Sequence, residues 1–273
     1  MTIFDEFKGR TVLICGSGGG GIGTATTFAL AQAGANIVGV DFKQDLLDES
    51  KALVEGLGRQ FHGILADLCD PLAVARIVPT AIELTEGPIH YLANIAGGMQ
   101  AKQWGPFEGI PDNVFRDVMA LNFDYVFTLC RDVSLHMKEH GEGGAIVNVS
   151  SISALPSAPL HASYGAAKAA VISMTRSMAV ELGRYGIRAN VIAPGATKTA
   201  RAELISKGAI DERQREWAPL KRPTASADVA NAIRFFLSTQ AAGITGQLLA
   251  VDCGLTARSA LGGIEYLEPR ASW

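Results

Sequence analysis

Thr11-Val-Leu-Ile-Cys15 runs directly into Gly16-Ser-Gly-Gly-Gly-Gly-Ile-Gly23. The first five residues have the apolar, partly β-branched character of a buried strand. Helical periodicity then runs from Gly21 to Ala33. The stretch therefore reads as strand, tight loop, helix. Glycines let the loop turn sharply and let its backbone approach a ligand closely. A helix that begins there offers unpaired N–H groups and the positive end of its dipole to an anion. A bare G-x-G-x-x-G also describes a flexible loop, and it is the flanking strand and helix that give it weight.

The same alternation continues along the chain. Further strands are expected at Ile37–Asp41, Phe61–Leu65, Tyr91–Ile95, Ala145–Val149, Arg188–Ala193 and Gln247–Val251. Helices are expected at Gln44–Leu57, Pro71–Thr85, from Pro111 to His140, His161–Tyr185 and Ser226–Ser238. Asp70 is placed to cap the third helix, with Pro71 in its first turn. Pro79 is expected to break or kink it. Strands separated by helices imply right-handed crossovers and a parallel sheet covered on both faces. The reading is one α/β domain over residues 1–273, a Rossmann-like doubly wound sheet of about seven strands. Residues 197–223, polar and lying between a strand and a helix, read as a mobile substrate flap. Residues 255–273 read as a C-terminal extension.

Composition narrows the function. Apolar residues make up 48% of the 273 and charged residues 19%. That balance suits a doubly covered sheet and argues against disorder. Lys plus Arg is 24 against 27 Asp plus Glu, so nothing favours a polyanion such as nucleic acid. The four cysteines are widely spaced and read as free thiols in a cytoplasmic protein. No apolar run reaches the length of a membrane span, and the N-terminus has no signal-peptide pattern. His136 and His140 lie four apart but lack a metalloprotease pattern, so they read as a solvated helix face and no metal is expected.

Asp41 ends the second strand, 18 residues beyond Gly23 (41 − 23). A carboxylate there can accept hydrogen bonds from both adenosine ribose hydroxyls and repels a 2′-phosphate, which favours NAD over NADP. Lys43 nearby softens that repulsion. Tyr164 and Lys168 are one helical turn apart and share a face. A nearby cation favours a phenolate, so Lys168 is expected to lower the pKa of Tyr164. Ser151, just beyond the strand that ends at Val149, is placed to hold a substrate oxygen in line.

Together these residues resemble the short-chain dehydrogenase/reductase family, and the similarity extends to about Gly254. The family's T-G-x-x-x-G-x-G loop is matched by Cys15-Gly16 and Gly21-Ile-Gly23, with Cys15 for the threonine and one extra residue. Asp67-Leu68 resembles its adenine-contacting acidic position, and Asn94-Ile-Ala-Gly97 its N-N-A-G turn, with Ile95 for the second asparagine. Asn122 resembles its helix asparagine. Ser151 is the serine thirteen residues before the tyrosine and is preferred to Ser150 or Ser153. Tyr164 and Lys168 match Y-x-x-x-K. Pro194-Gly-Ala-Thr-Lys-Thr199 resembles the P-G-x-x-x-T stretch, and Val251-Asp-Cys-Gly254 the terminal V-D-G-G, with Cys253 for a glycine.

The resemblance implies a catalytic set of Asn122, Ser151, Tyr164 and Lys168. Tyr164 would exchange the proton, Lys168 would bind the nicotinamide ribose, and Asn122 would hold a relay water through a local helix distortion. Contacts to NAD are expected from Gly16, Ser17, Gly21, Ile22, Gly23, Asp41, Phe42, Asp67, Leu68, Asn94, Ala96, Gly97, Tyr164, Lys168, Pro194, Gly195, Thr197 and Thr199. Substrate contacts are expected from Met99, Ser151, Ser153, His161 and Tyr164, with Trp104, Leu155 and Trp217 as apolar candidates. The reaction implied is NAD-dependent interconversion of a secondary alcohol, small or medium and apolar, with its ketone. An NADPH-dependent 3-oxoacyl thioester reductase and a non-catalytic dinucleotide-sensing scaffold are the alternatives. A small-residue helix face, Ala162, Ala166, Ala169 and Ala170, suits close packing between subunits, and the family implies a homotetramer or homodimer.

Overall fold

The computed structural model describes residues 6–199, 212 and 216–258. Its centre is a seven-stranded parallel sheet. The strands are β1 (Thr11–Cys15), β2 (Asn36–Asp41), β3 (Phe61–Leu65), β4 (Tyr91–Asn94), β5 (Gly144–Val149), β6 (Ile187–Pro194) and β7 (Leu248–Val251). Their spatial order is β3-β2-β1-β4-β5-β6-β7. The chain first builds outward from β1 in one direction, then returns and builds the other way from β4. β1 is therefore the switch point of the sheet, and a crevice opens there at the carboxyl ends of the strands. Register sharpens it: Cys15 pairs with both Val40 and Asn94, so three strand ends finish level.

The helices are α1 (Ile22–Gln32), α2 (Gln44–Glu55), α3 (Pro71–Thr85), α4 (Asp112–Met119), α5 (Tyr125–His140), α6 (Ala162–Leu182) and α7 (Ser226–Leu237). On one face Leu30, Leu47, Val229 and Phe236 pack against Val12, Ile14 and Ile37. On the other Val74, Ile77, Leu129, Val133 and Val171 pack against Leu13, Val38 and Ile146. Each central strand thus buries both faces, which is why β1 is apolar at almost every position instead of alternating.

Asp70 caps α3 as expected, accepting from the Leu72 amide at 2.9 Å. Pro79 corrects an expectation: α3 runs unbroken through it. Pro79 and Ala75, whose carbonyl loses its usual partner, are both exposed, so water can serve that carbonyl. Val74, Ile77, Val78 and Ala81 hold the opposite face in the core. The long helix from residue 112 to 140 contains a π-helical turn, Ala120–Asp124, between α4 and α5, and Gly141 ends it in the left-handed region. No helix among the described residues is long and apolar enough to cross a membrane. All four cysteines are free.

Part of the expected flap, residues 200–211 and 213–215, lies outside the described residues, as does most of the expected extension, 259–273. Within the described part, Thr197–Lys198 pairs with Thr224–Ala225 as a short parallel ladder beside the sheet.

Candidate active site

The glycine loop leaves β1 and bends through left-handed backbone at Gly16, Gly19 and Gly20. Gly23 admits no side chain, because a Cβ there would lie 1.9 Å from the Gly16 carbonyl oxygen. Gly19 and Gly20, at the tip, face open space. Gly21 caps α1 without a side-chain hydrogen bond, so the first-turn amides remain available to an anion. Thr199 closes the far side, its methyl group 3.1 Å from where a Cβ on Gly21 would stand.

Asp41 is 6% exposed, and its carboxylate accepts from the Gly18 amide at 3.1 Å and the Phe42 amide at 2.9 Å. It ties the loop to the end of β2 and leaves lone pairs for ribose hydroxyls. Lys43 is held over the exposed Phe42 ring, 5.4 Å from its centroid. Asp67 is exposed at the end of β3, with one oxygen taken by the Cys69 amide. Glycine cradle, bare helix terminus and buried acid form a groove that fits a dinucleotide.

Four of the expected contact residues have side chains turned into the protein. Ser17 is fully buried: its amide bonds the Val40 carbonyl, and its carbonyl accepts from Thr27 and Ser50. Its hydroxyl faces Gly39, so it braces the loop from beneath. Asn94 is 1% exposed and its amide donates to Asn148 at 2.8 Å, which makes it a support of the strand end. The Leu68 side chain is buried in the core. Met99, expected at the substrate, is also buried.

The acid–base residues converge at the carboxyl ends of β4 and β5. Ser151 acts on the Tyr164 phenol in the sense that lowers its pKa and so favours a phenolate. Ser150, the rejected neighbour, is buried and donates instead to the Lys168 carbonyl at 2.8 Å, fastening α6 to β5. Lys168 donates to the Val149 carbonyl at 3.0 Å. Asn122 sits in the π turn. It accepts from the Gly98 amide at 2.8 Å and donates to the Gly98 and Val118 carbonyls at 3.0 and 2.9 Å. A π turn takes backbone carbonyls out of the ordinary ladder, the distortion expected there. Gly97 stands between the pair. A Cβ on it would lie 2.7 Å from Asn122 Oδ1 and 2.9 Å from Lys168 Nζ. Its φ of +154° adds to the restriction. The N-N-A-G resemblance pointed to Gly97 as a cofactor contact and did not reveal this steric role.

Burial shapes the electrostatics of the pair. Burial pushes the Tyr164 phenol above its usual value, and the Ser151 hydrogen bond pulls it part of the way back. Burial lowers Lys168 to about 8. Lys168 thus loses its proton before the phenol does, and its Nζ lies 5.8 Å from the Tyr164 ring centroid. Ser151 thus acts against the effect of burial on the phenol.

His161 lies beside the site, its ring 6.2 Å from that of Tyr164 and 4.5 Å from that of Trp104. Trp217 packs with Arg258, 4.8 Å from the ring centroid. His136 accepts from the Ile89 amide at 3.1 Å, and His140 faces Glu142 at 3.3 Å.

Comparison with known proteins agrees with this geometry. The family described as enoyl-(acyl carrier protein) reductase matches residues 18–256. The chain belongs to the short-chain dehydrogenase/reductase family. It is 31% identical to 2,3-dihydro-2,3-dihydroxybenzoate dehydrogenase of Bacillus subtilis (strain 168), over 91% of this chain and 97% of the relative. It is 35% identical to levodione reductase of Leifsonia aquatica, over 92% and 96%. A solved 7α-hydroxysteroid dehydrogenase, complexed with NADH and 7-oxo glycochenodeoxycholic acid, superposes with a TM-score of 0.86 at 31% identity. The match covers 93% of this chain and 98% of that one.

Proposed function

We propose that this protein is an NAD(H)-dependent oxidoreductase that interconverts a secondary alcohol and its ketone, with Tyr164 as the acid–base group. One observation carries the reading: Asn122 and Lys168 meet at Gly97, with the Tyr164 ring 5.8 Å from Lys168 Nζ, at the carboxyl ends of the strands that also hold the glycine loop. A scaffold would need no lysine and asparagine meeting beside a half-buried phenol there. The relatives, named for a dihydroxybenzoate, levodione and a hydroxysteroid, support alcohol and ketone chemistry.

The nicotinamide, when bound, supplies hydride exchange at the reacting carbon. Gly16, Gly18 and Gly23 let the backbone approach the dinucleotide, α1 receives its pyrophosphate, and Asp41 accepts from the adenosine ribose. Ser151 holds the substrate oxygen in line, and Tyr164 takes or returns its proton. Lys168 donates to ribose hydroxyls. Asn122 keeps the Gly97–Gly98 turn and the π turn in place for proton relay.

Asp41 supports NAD over NADP, because a 2′-phosphate would meet a buried carboxylate already committed to the loop. The test follows reduced-dinucleotide absorbance with NAD and NADP over a panel of secondary alcohols. The expected result is turnover with NAD at least tenfold better than with NADP, narrowed or reversed in Asp41→Ala. Preference for NADPH with 3-oxoacyl thioesters would replace this reading. Dinucleotide binding without alcohol-dependent absorbance would favour the scaffold. A cytoplasmic, homo-oligomeric protein with a small alcohol or ketone as its partner completes the proposal.

A further inference from the structure

The alcohol-binding side of the site contains a hydrogen-bond relay that the catalytic set does not use. His161 Nδ1 lies 2.7 Å from the Pro159 carbonyl oxygen, and its Nε2 lies 3.2 Å from Ser153 Oγ. A carbonyl oxygen can only accept, so Nδ1 carries the hydrogen. In the neutral ring Nε2 is then the acceptor, and the Ser153 hydroxyl must donate to it. Spent in that direction, the Ser153 hydrogen leaves the oxygen lone pairs facing away from His161. They can only receive a hydrogen bond.

The position of this acceptor is set by the active-site turn itself. The Ser153 amide donates to Ser151 Oγ at 3.1 Å, so the two serines share one short turn (Ile152–Ala154) beside Tyr164. Trp104 lies against His161 with its plane tilted by 35°, which holds the imidazole between an indole and the Tyr164 ring. Ser153 therefore stands next to Ser151 with its hydroxyl towards His161.

Resting on the reading above, we infer that Ser153 and His161 form a second recognition point. It selects substrates with a hydroxyl group next to the reacting carbinol carbon, such as a vicinal diol or the matching hydroxyketone. Ser153 accepts from that hydroxyl. His161 is a positioning residue that acts through Ser153 by fixing which way its hydrogen points. The apolar alcohol expected from the sequence is thereby replaced by a hydroxylated one. A site built to pair a substrate hydroxyl discriminates strongly against the analogue lacking it, because its own polar group is left unpaired.

The test compares matched pairs, 2,3-butanediol with 2-butanol and 1,2-cyclohexanediol with cyclohexanol, using NAD and NADP. The expected result is a kcat/KM ratio of diol to mono-alcohol of at least about tenfold. That ratio should fall towards one in Ser153→Ala and His161→Phe, mainly through KM of the diol, and be retained in Ser153→Thr, which keeps the hydroxyl. A ratio near one in the wild type overturns the inference. So does an equal loss on both alcohols in the variants, the signature of a purely structural brace. Turnover of neither alcohol would sink the oxidoreductase reading alone. Ligand-observed NMR titration of the diol then decides the second point. About tenfold weaker binding to Ser153→Ala than to the wild type supports it, and equal binding overturns it.

Discussion

Burial acts on both Tyr164 and Lys168, raising the phenol and lowering the ammonium. On the phenol, Ser151 acts in the opposite sense. Tyr164→Phe removes the phenol hydroxyl but keeps the ring. Turnover should fall by about 10²–10⁴-fold with dinucleotide affinity largely intact, as measured by initial rates and fluorescence titration. Wild-type turnover would exclude Tyr164 from the acid–base role. Lys168 carries a stability signature as well. Unfolded, it keeps its proton to an ordinary 10.5; folded, it gives the proton up at about 8. Between those values the folded chain binds fewer protons, so Lys168 contributes stability that rises with pH. Urea unfolding at pH 8, 9 and 10 should show the wild type gaining on Lys168→Met by about 1.4 kcal/mol per unit. A constant difference would mean the lysine is not depressed.

Elements position these side chains, and two of them invite measurement. The π turn Ala120–Asp124 is held by Asn122, whose amide joins Gly98 to Val118. Asn122→Leu strands the Gly98 amide and both carbonyls. The expected cost is about 1–3 kcal/mol in urea unfolding, with a loss of turnover larger than any loss of dinucleotide affinity. At the opposite edge of the sheet His90 accepts from the Thr11 amide at 3.0 Å and so fastens the start of β1. Burial first, then the Arg10 charge, lowers its pKa to about 4, with Glu142 opposing and His136 and His140 adding to the shift. A histidine kept neutral by folding protonates more readily in the unfolded chain. Its stabilising contribution is present above pH 6.5 and is lost as pH falls towards 4. His90→Asn keeps an acceptor without the titration, so its stability should fall less than that of the wild type over this window. Parallel pH profiles would refute the assignment. The glycine loop, the strands and the Asp70 cap were legible in the chain because each depends on near neighbours. The passage of α3 through Pro79 was not, since it depends on which face the core leaves to water.

On the scale of the whole molecule, small and apolar side chains crowd one exposed face among the described residues. Along α6, Ala166, Ala169 and Val180 are exposed, Val180 at 84%, and Phe127 and Leu135 on α5 are half-exposed beside them. Between the two helices lies a cleft of about 420 Å³. Apolar and small side chains in one exposed stripe let helices of two copies approach closely. Light scattering should return a multiple of 28.7 kDa for the wild type, and a smaller species for Val180→Glu. A monomeric wild type would remove the expected assembly.

Patterns carried over a few residues were already decisive in the chain: strand period, glycine backbone freedom, and the four-residue step from Tyr164 to Lys168. Each rests on local geometry, so no folding is needed to read it. Long-range packing supplied the rest. Ser17 and Asn94 turned inward because the core needed their hydrogen bonds, whatever their place in a motif. Gly97 acquired its purpose only when Asn122 and Lys168 arrived on either side of it. Ser153 became an acceptor only once the imidazole of His161, itself steered by a carbonyl, claimed its hydrogen. Burial and partner choice arise from distant segments meeting, and that is physics a linear pattern does not contain.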